Sequence, residues 1–280
     1  LQQGSAAAGR IGEVLLRKPD VCDTPDAIKI PVKGHVRFEN VGVHAEGRWV
    51  LRHITLDVPP GTTLGIVGAT GAGKSTLISL LGRTIDPDEG RVCVDGHDIR
   101  AIKLKHLRRS VGYVPQETLL FGMPLRDNIT LGLTNVPDER VHRAITSARL
   151  SNDLVQLPQG LATLVGERGA TLSGGQKQRT AIARALVRDP QILLLDDSLS
   201  SVDTQTASEI LGELNTAREN RTCFVVSQRL ASVRDATQII VLEDGEIVEQ
   251  GTHQQLLALN GRYAAMYRRE LQQAEDQIEE

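Results

Sequence analysis

The 280 residues carry 32 Lys and Arg against 35 Asp and Glu, a formal net charge of −3, with 40% hydrophobic and 24% charged residues. Such a composition belongs to a globular chain and not a disordered one, and the charge balance argues against a strongly basic nucleic-acid binder, leaving only a local patch open. No apolar run approaches the ~20 residues of a membrane span, the longest being residues 192–195, and Cys22, Cys93 and Cys223 are too few and too scattered for a disulfide framework or a thiolate zinc site.

Residues 1–19 predict a helix, with Ile11, Leu15 and Leu16 at helical spacing and Pro19 as its stop. The start at Leu1, without a basic and apolar leader, reads as a piece of a longer protein. Residues 20–34, with Pro25 and Pro31, predict a linker. Strands are expected over 35–43 and 51–58, with Val36, Phe38 and Val41 facing inward and Pro59-Pro60-Gly61 ending the second. Residues 62–67 form a compact apolar strand, followed by a glycine-rich turn and a helix from Lys74, which is the βα unit of a parallel sheet. Asp95-Gly96 and Asp244-Gly245 mark hairpin turns, the first between strands at 92–95 and 97–99. From about Pro124 to Asp189 the pattern is mostly helical, most clearly over 138–149 and 176–188, which places a helical subdomain at about 117–188, and apolar strands return at 191–197, 222–227 and 238–242. A polar helix or tail, acidic at its end, closes the chain. The whole reads as an α/β domain over 35–265 interrupted by a helical insert, with 266–280 as the tail.

Gly68-Ala69-Thr70-Gly71-Ala72-Gly73-Lys74-Ser75-Thr76 fits GxxxxGK[ST] between a strand and a helix. Glycines let successive backbone N–H groups point inward at a phosphate, Lys74 reaches the β- and γ-phosphates, and the Ser75 hydroxyl is placed for Mg²⁺. An apolar strand ends in Asp196 and Asp197, of which the first would face the Mg²⁺ shell and the second the γ-phosphate, where a base or a water-orienting group is needed. Leu172-Ser173-Gly174-Gly175-Gln176 puts a hydroxyl and unhindered amides at a helix start, a second anion site. Two phosphate sites on one chain imply a nucleotide sandwiched between two chains.

These motifs, in this order, resemble the nucleotide-binding domain of ATP-binding cassette (ABC) transporters of the exporter type. The resemblance also takes in the glutamine loop Val114-Pro115-Gln116, the exporter-type loop Val165-Gly166-Glu167-Arg168-Gly169 and the D-loop Ser200-Ser201-Val202-Asp203. It implies a P-loop NTPase core with an antiparallel β subdomain and an inserted α-helical subdomain. It also implies ATP and Mg²⁺ as cofactors, with Ser75, Gln116 and Asp196 at the metal, and ATP hydrolysis that powers export. Two such domains would dimerise head to tail, each lending Ser173, Gly174, Gly175 and Gln176 to the other's ATP. Residues 1–19 would be the cytoplasmic end of a last transmembrane helix, with a membrane domain upstream in the same polypeptide. The location implied is the cytoplasmic face of the plasma or inner membrane, the fragment itself being soluble.

Three positions depart from the family pattern. Asp197 stands where active members carry a catalytic Glu; it is one methylene shorter, a retraction of about 1.5 Å, and a catalytic group misplaced by ~1 Å loses on the order of 100-fold in rate. Gln228, in Val226-Ser227-Gln228-Arg229, stands for the switch His, keeping a hydrogen bond to a γ-phosphate but no proton to shuttle. Ala45 stands where an aromatic residue stacks on adenine, leaving Trp49, His44 or nothing in that role. Both catalytic departures fall on the nucleotide of Lys74, whereas the Leu172–Gln176 motif is intact. The expectation is therefore a degenerate subunit of a heterodimeric exporter, whose partner is a different chain with Glu and His at the matching positions. The alternatives are a homodimeric exporter using Asp197 as base and a soluble ABC ATPase acting on DNA or ribosomes, for which the chain shows neither a coiled-coil insert nor a basic linker.

Overall fold

A computed structural model describes residues 19–199, 202, 204–216 and 221–279, together with Gly12, Leu15 and Leu16. Most of the helix expected over 1–19, and Ser200, Ser201 and Asp203 of the D-loop, lie outside the described residues.

Strands β1 (Val36–Ala45) and β2 (Arg48–Val58) form a hairpin, and β3 (Thr63–Gly68) runs into the phosphate loop and helix α1 (Lys74–Leu81). Next come β4 (Glu89–Val94), β5 (His97–Asp98), α2 (Leu104–Ser110) and β6 (Val111–Val114). The insert holds α3 (Leu125–Ile129), α4 (Asp138–Ser147), α5 (Ser151–Gln156) and α6 (Gly174–Leu186). The chain then returns through β7 (Ile192–Asp196), α7 (Thr204–Thr216), β8 (Thr222–Val226), β9 (Gln238–Glu243) and β10 (Glu246–Gly251), and ends in α8 (His253–Leu259) and α9 (Arg262–Glu279). Among the described residues the strands make two sheets, a four-stranded antiparallel one in the order β2-β1-β4-β5 and a six-stranded one in the order β10-β9-β3-β8-β7-β6. The second is parallel except for its β9–β10 hairpin.

Strands β3, β7 and β8 at the middle of the six-stranded sheet are buried on both faces, so they read as continuous apolar runs and not as alternations. Side chains alternate between the faces along each strand. Leu64 and Ile66 of β3, Ile192 and Leu194 of β7, and Phe224 and Val226 of β8 share one core with α1 and the antiparallel sheet. Val67, Leu193, Leu195 and Val225 point the other way, into a core shared with the helical insert and with Tyr263 of α9. Helix α1 thus lies between the two sheets, with Leu77, Ile78, Leu80 and Leu81 fully buried. Each such side chain contributes about 1.5–3 kcal/mol of burial. The same parity puts Asp196 on the α1 side of the sheet.

The expected inward residues Val36, Phe38 and Val41 are fully buried. Both Asp-Gly turns are present, with positive φ at Asp95, Gly96, Asp244 and Gly245. A third hairpin turn at Glu46-Gly47, absent from the sequence reading, joins β1 to β2. Strand β6, also unanticipated, is the edge of the parallel sheet beside β7. The helix expected over 138–149 stops at Ser147, short of Arg149 and its left-handed backbone, and the one expected from Gln176 begins at Gly174. Residues 20–34 lie against the domain: Ile28 bridges Ile102, the Leu104 N–H donates to Asp23, Arg83 donates to the Cys22 carbonyl, and Ala27 and Ile30 are buried.

Candidate functional site

The phosphate loop is shaped by contacts that only glycine tolerates at two positions. Gly68 has φ 149°, and a Cβ there would lie 2.2 Å from the Leu242 carbonyl oxygen. Gly73 has φ 98°, and a Cβ there would lie 2.7 Å from Leu51 Cδ2 and 2.8 Å from the Val50 carbonyl oxygen. Gly73 is the N-cap of α1 and brings no side-chain cap, so first-turn N–H groups stay available to an anion. Within the loop the Ala72 N–H donates to the Ala69 carbonyl. Lys74 Nζ folds back to donate to the Gly68 and Ala69 carbonyls, each at 2.8 Å. Burial lowers the Lys74 pKa, and the charges of Asp197 and Asp196 oppose that shift.

Beside the loop lies a cleft of about 300 Å³, lined by Thr70, Gly71, Gly73, Lys74, Ser75 and Thr76 and closed by Gln116, Asp196, Asp197 and Gln228. The Ser75 hydroxyl donates to Asp196 Oδ1 at 3.0 Å, and the Tyr113 hydroxyl donates to Asp196 Oδ2 at 3.1 Å. Burial, reinforced by the Asp196 charge, pushes the Tyr113 pKa up to about 12, so this phenol keeps its proton and remains a donor. The metal-binding side chains available on the cleft wall are oxygen donors, from Ser75, Asp196, Asp197 and Gln116, with no thiolate or imidazole among them. That donor set fits a hard cation such as Mg²⁺.

Asp197 directly follows β7 and lies in the left-handed region, φ 45°, which Asp tolerates better than most residues. Its N–H donates to the Val226 carbonyl at 2.9 Å, and its Oδ1 accepts from the Gln228 N–H at 3.4 Å. Burial raises its pKa, with Asp196 adding to the rise; the Gln228 N–H, Lys74 and Arg229 oppose it.

The Ser173–Gln176 segment stands elsewhere, outside the lining of that cleft. Ser173 is the N-cap of α6: its hydroxyl accepts from the Gln176 N–H at 3.3 Å, and the Gln176 side chain accepts from the Ser173 N–H at 3.0 Å. This reciprocal capping is anchored from below by Asp153 of α5, which receives Arg179 through two bonds at 2.7 and 2.8 Å, and Gln176 Nε2 at 3.4 Å. Ser173 and Gly174 themselves are exposed.

Sequence reasoning missed Tyr113 and Asp153, whose partners lie far along the chain. For the base, neither Trp49 nor His44 borders the cleft; Arg48 and Val50 do. Trp49 and His44 instead meet edge to face, with ring centroids 5.2 Å apart.

The sequence pattern of a family described as ABC transporter matches residues 51–200. An ATP-dependent lipid A-core flippase of Desulfotalea psychrophila is 41% identical over 95% of this chain and 47% of its own length. A probable multidrug resistance ABC transporter ATP-binding/permease protein of Bacillus subtilis is 42% identical over 96% of this chain and 46% of its own length. The chain therefore spans just under half the length of these curated relatives. A solved structure of a bacterial Atm1-family ABC exporter with ATP bound superposes with a TM-score of 0.90 at 38% identity, covering 96% of this chain and 47% of that one. Among the described residues no helix is long and apolar enough to cross a membrane.

Proposed function

Because the chain belongs to the ABC transporter family and has the fold of its ATPase domain, we propose that it binds ATP to drive export through a membrane domain upstream in the same polypeptide. In this reading it works at the cytoplasmic face of the plasma or inner membrane. Its own cleft holds ATP and hydrolyses it slowly, and its Ser173–Gln176 segment completes the ATP site of a different partner chain.

The triphosphate is received by the loop N–H groups and the first turn of α1, with Lys74 placed for the β- and γ-phosphates. Ser75, Asp196 and Gln116 would hold Mg²⁺, which when bound neutralises charge on the phosphate oxygens. Tyr113 orients Asp196 from the side away from Ser75. Asp197 takes the position of the base toward the attacking water, but its short side chain has one oxygen engaged by the Gln228 N–H. Gln228 orients the γ-phosphate through its amide and has no proton to relay.

One observation carries this reading: Asp197 and Gln228 stand together on the wall of the cleft that holds Lys74, while Ser173, Gly174, Gly175 and Gln176 stand apart from it. The test is phosphate release with Mg-ATP, at concentrations where sizing shows dimers, for the unmodified chain and for Asp197→Glu with Gln228→His. The expected outcome is slow release that rises on the order of 100-fold in the double variant. Brisk release by the unmodified chain would establish the homodimeric alternative, which the raised pKa of Asp197 favours because it suits a general base.

A further inference from the structure

We propose that Arg48 is the residue that holds the nucleotide base, its guanidinium plane stacked on the purine, and that Trp49 has no part in binding. The proposal deepens the reading of the cleft as an ATP site and rests on it.

The phosphate loop meets β2 where Gly73 abuts the Leu51 side chain and the Val50 carbonyl. Arg48 lies two residues further along β2, about 7 Å away at the rise of an extended strand, which is the reach of a ribose from its phosphates. Arg48 and Val50 both line the cleft. Successive side chains of a strand face opposite ways, so Trp49 between them points to the other surface of the hairpin. It is held there by its edge-to-face contact with His44 and by Gly42, where an added Cβ would lie only 3.0 Å from Trp49 Cζ3.

The cross-strand register gives the same division. His44 pairs with Trp49, and Ala45 pairs with Arg48. Directly opposed residues share a face, so the small Ala45 side chain leaves the space beside Arg48 open to a planar ligand. Charge points the same way. The other arginines of this sheet are paired, Arg37 with Asp57, Arg52 with Glu246 and Arg91 with Glu39. Among the described residues no carboxylate is in ion-pair contact with Arg48, although it is exposed on the cleft wall. A guanidinium is planar, permanently charged and weakly hydrated, so it stacks on aromatic faces at little desolvation cost. Purines are such faces, and stacking of this kind tolerates different bases.

The experiment is calorimetric titration of the chain with Mg-ATP and, separately, with Mg-tripolyphosphate, which has the phosphates but no base. Arg48→Ala is expected to weaken ATP about tenfold and to leave tripolyphosphate unchanged. Arg48→Lys, which keeps the charge and loses the plane, should fall with Arg48→Ala. Ala45→Tyr in the Arg48→Ala background should restore ATP affinity, and Trp49→Phe should match the unmodified chain. An equal loss for tripolyphosphate would make Arg48 a phosphate contact and overturn the proposal, as would unchanged ATP affinity in Arg48→Ala or a loss in Trp49→Phe. Failure of the underlying reading has its own outcome: no ATP binding by the unmodified chain, indistinguishable from Lys74→Ala.

Discussion

In the proposed reading the phosphate-loop cleft and the start of α6 both face phosphate, yet they are made in opposite ways. The cleft gathers buried charge: Lys74, Asp196 and Asp197 are each less than a tenth exposed, and the proton affinities of Lys74 and Asp197 are shifted by burial and by the charges around them. The α6 start keeps its phosphate-facing atoms exposed and hides its charge beneath them, in the Asp153–Arg179 pair. A site whose reactive groups are buried is sensitive to the length of a single side chain, which is where Asp197 and Gln228 fall. A site whose reactive groups are backbone amides and one hydroxyl depends on a rigid platform instead, and here the platform is complete.

Four substitutions probe that contrast. The largest effect is expected from Lys74→Ala. Losing two charge-assisted bonds to phosphate at about 2 kcal/mol each amounts to about 4 kcal/mol, on the order of a 1,000-fold loss of ATP affinity in a binding titration. Asp153→Ala leaves Arg179 without its carboxylate and should lower unfolding free energy in urea by about 3 kcal/mol. The same variant should leave ATP affinity in the chain's own cleft intact; a parallel fall in affinity would erase the distinction between the two sites. Ser173→Ala removes a helix cap worth about 1 kcal/mol and should likewise spare that affinity, while lowering turnover in a complex with a competent partner.

The smallest effect is one of pH. A carboxyl held above its ordinary 3.8 in the folded chain binds its proton more tightly there than when unfolded. Its contribution to stability is thus full at low pH and is lost as pH rises through the raised value. Asp197→Asn should remove that part of the slope, so urea midpoints of the variant should gain on the unmodified chain as pH increases. Parallel profiles would mean the Asp197 carboxyl is not desolvated.

What was legible in the sequence is local. The phosphate loop occupies nine consecutive residues, the Asp-Gly turns declare their own backbone, and Ser173 with Gln176 three residues on is a capping box written in the chain. The fully buried strands β3, β7 and β8 were equally plain as apolar runs. Strand β6 was not, because Gly112 and the half-exposed Tyr113 break the run in a segment of four residues. The Tyr113–Asp196 bond spans 83 residues and the Asp153–Arg179 pair spans 26, and no spacing rule joins such partners. The choice between Arg48 and Trp49 depended on which face each presents, which the Glu46-Gly47 turn and the irregular β1–β2 register decide together.

The strap of residues 20–34 has a mechanical consequence. Its Cys22 carbonyl is gripped by Arg83, which is almost wholly buried, also bonds Asp86, and lies two residues beyond the last turn of α1. Further along, Ile28 is stitched to Ala101 and Lys103, the Ile30 carbonyl meets His106, and the Asp95 carboxylate accepts N–H groups from Lys33, Gly34 and His35. Tension applied to the chain ahead of Asp20 is therefore shared among several rungs loaded in shear. The first rung to feel it sits at the far end of the helix whose near end cradles phosphate, so a tug on the leader and the grip on the nucleotide act on opposite ends of one short rod.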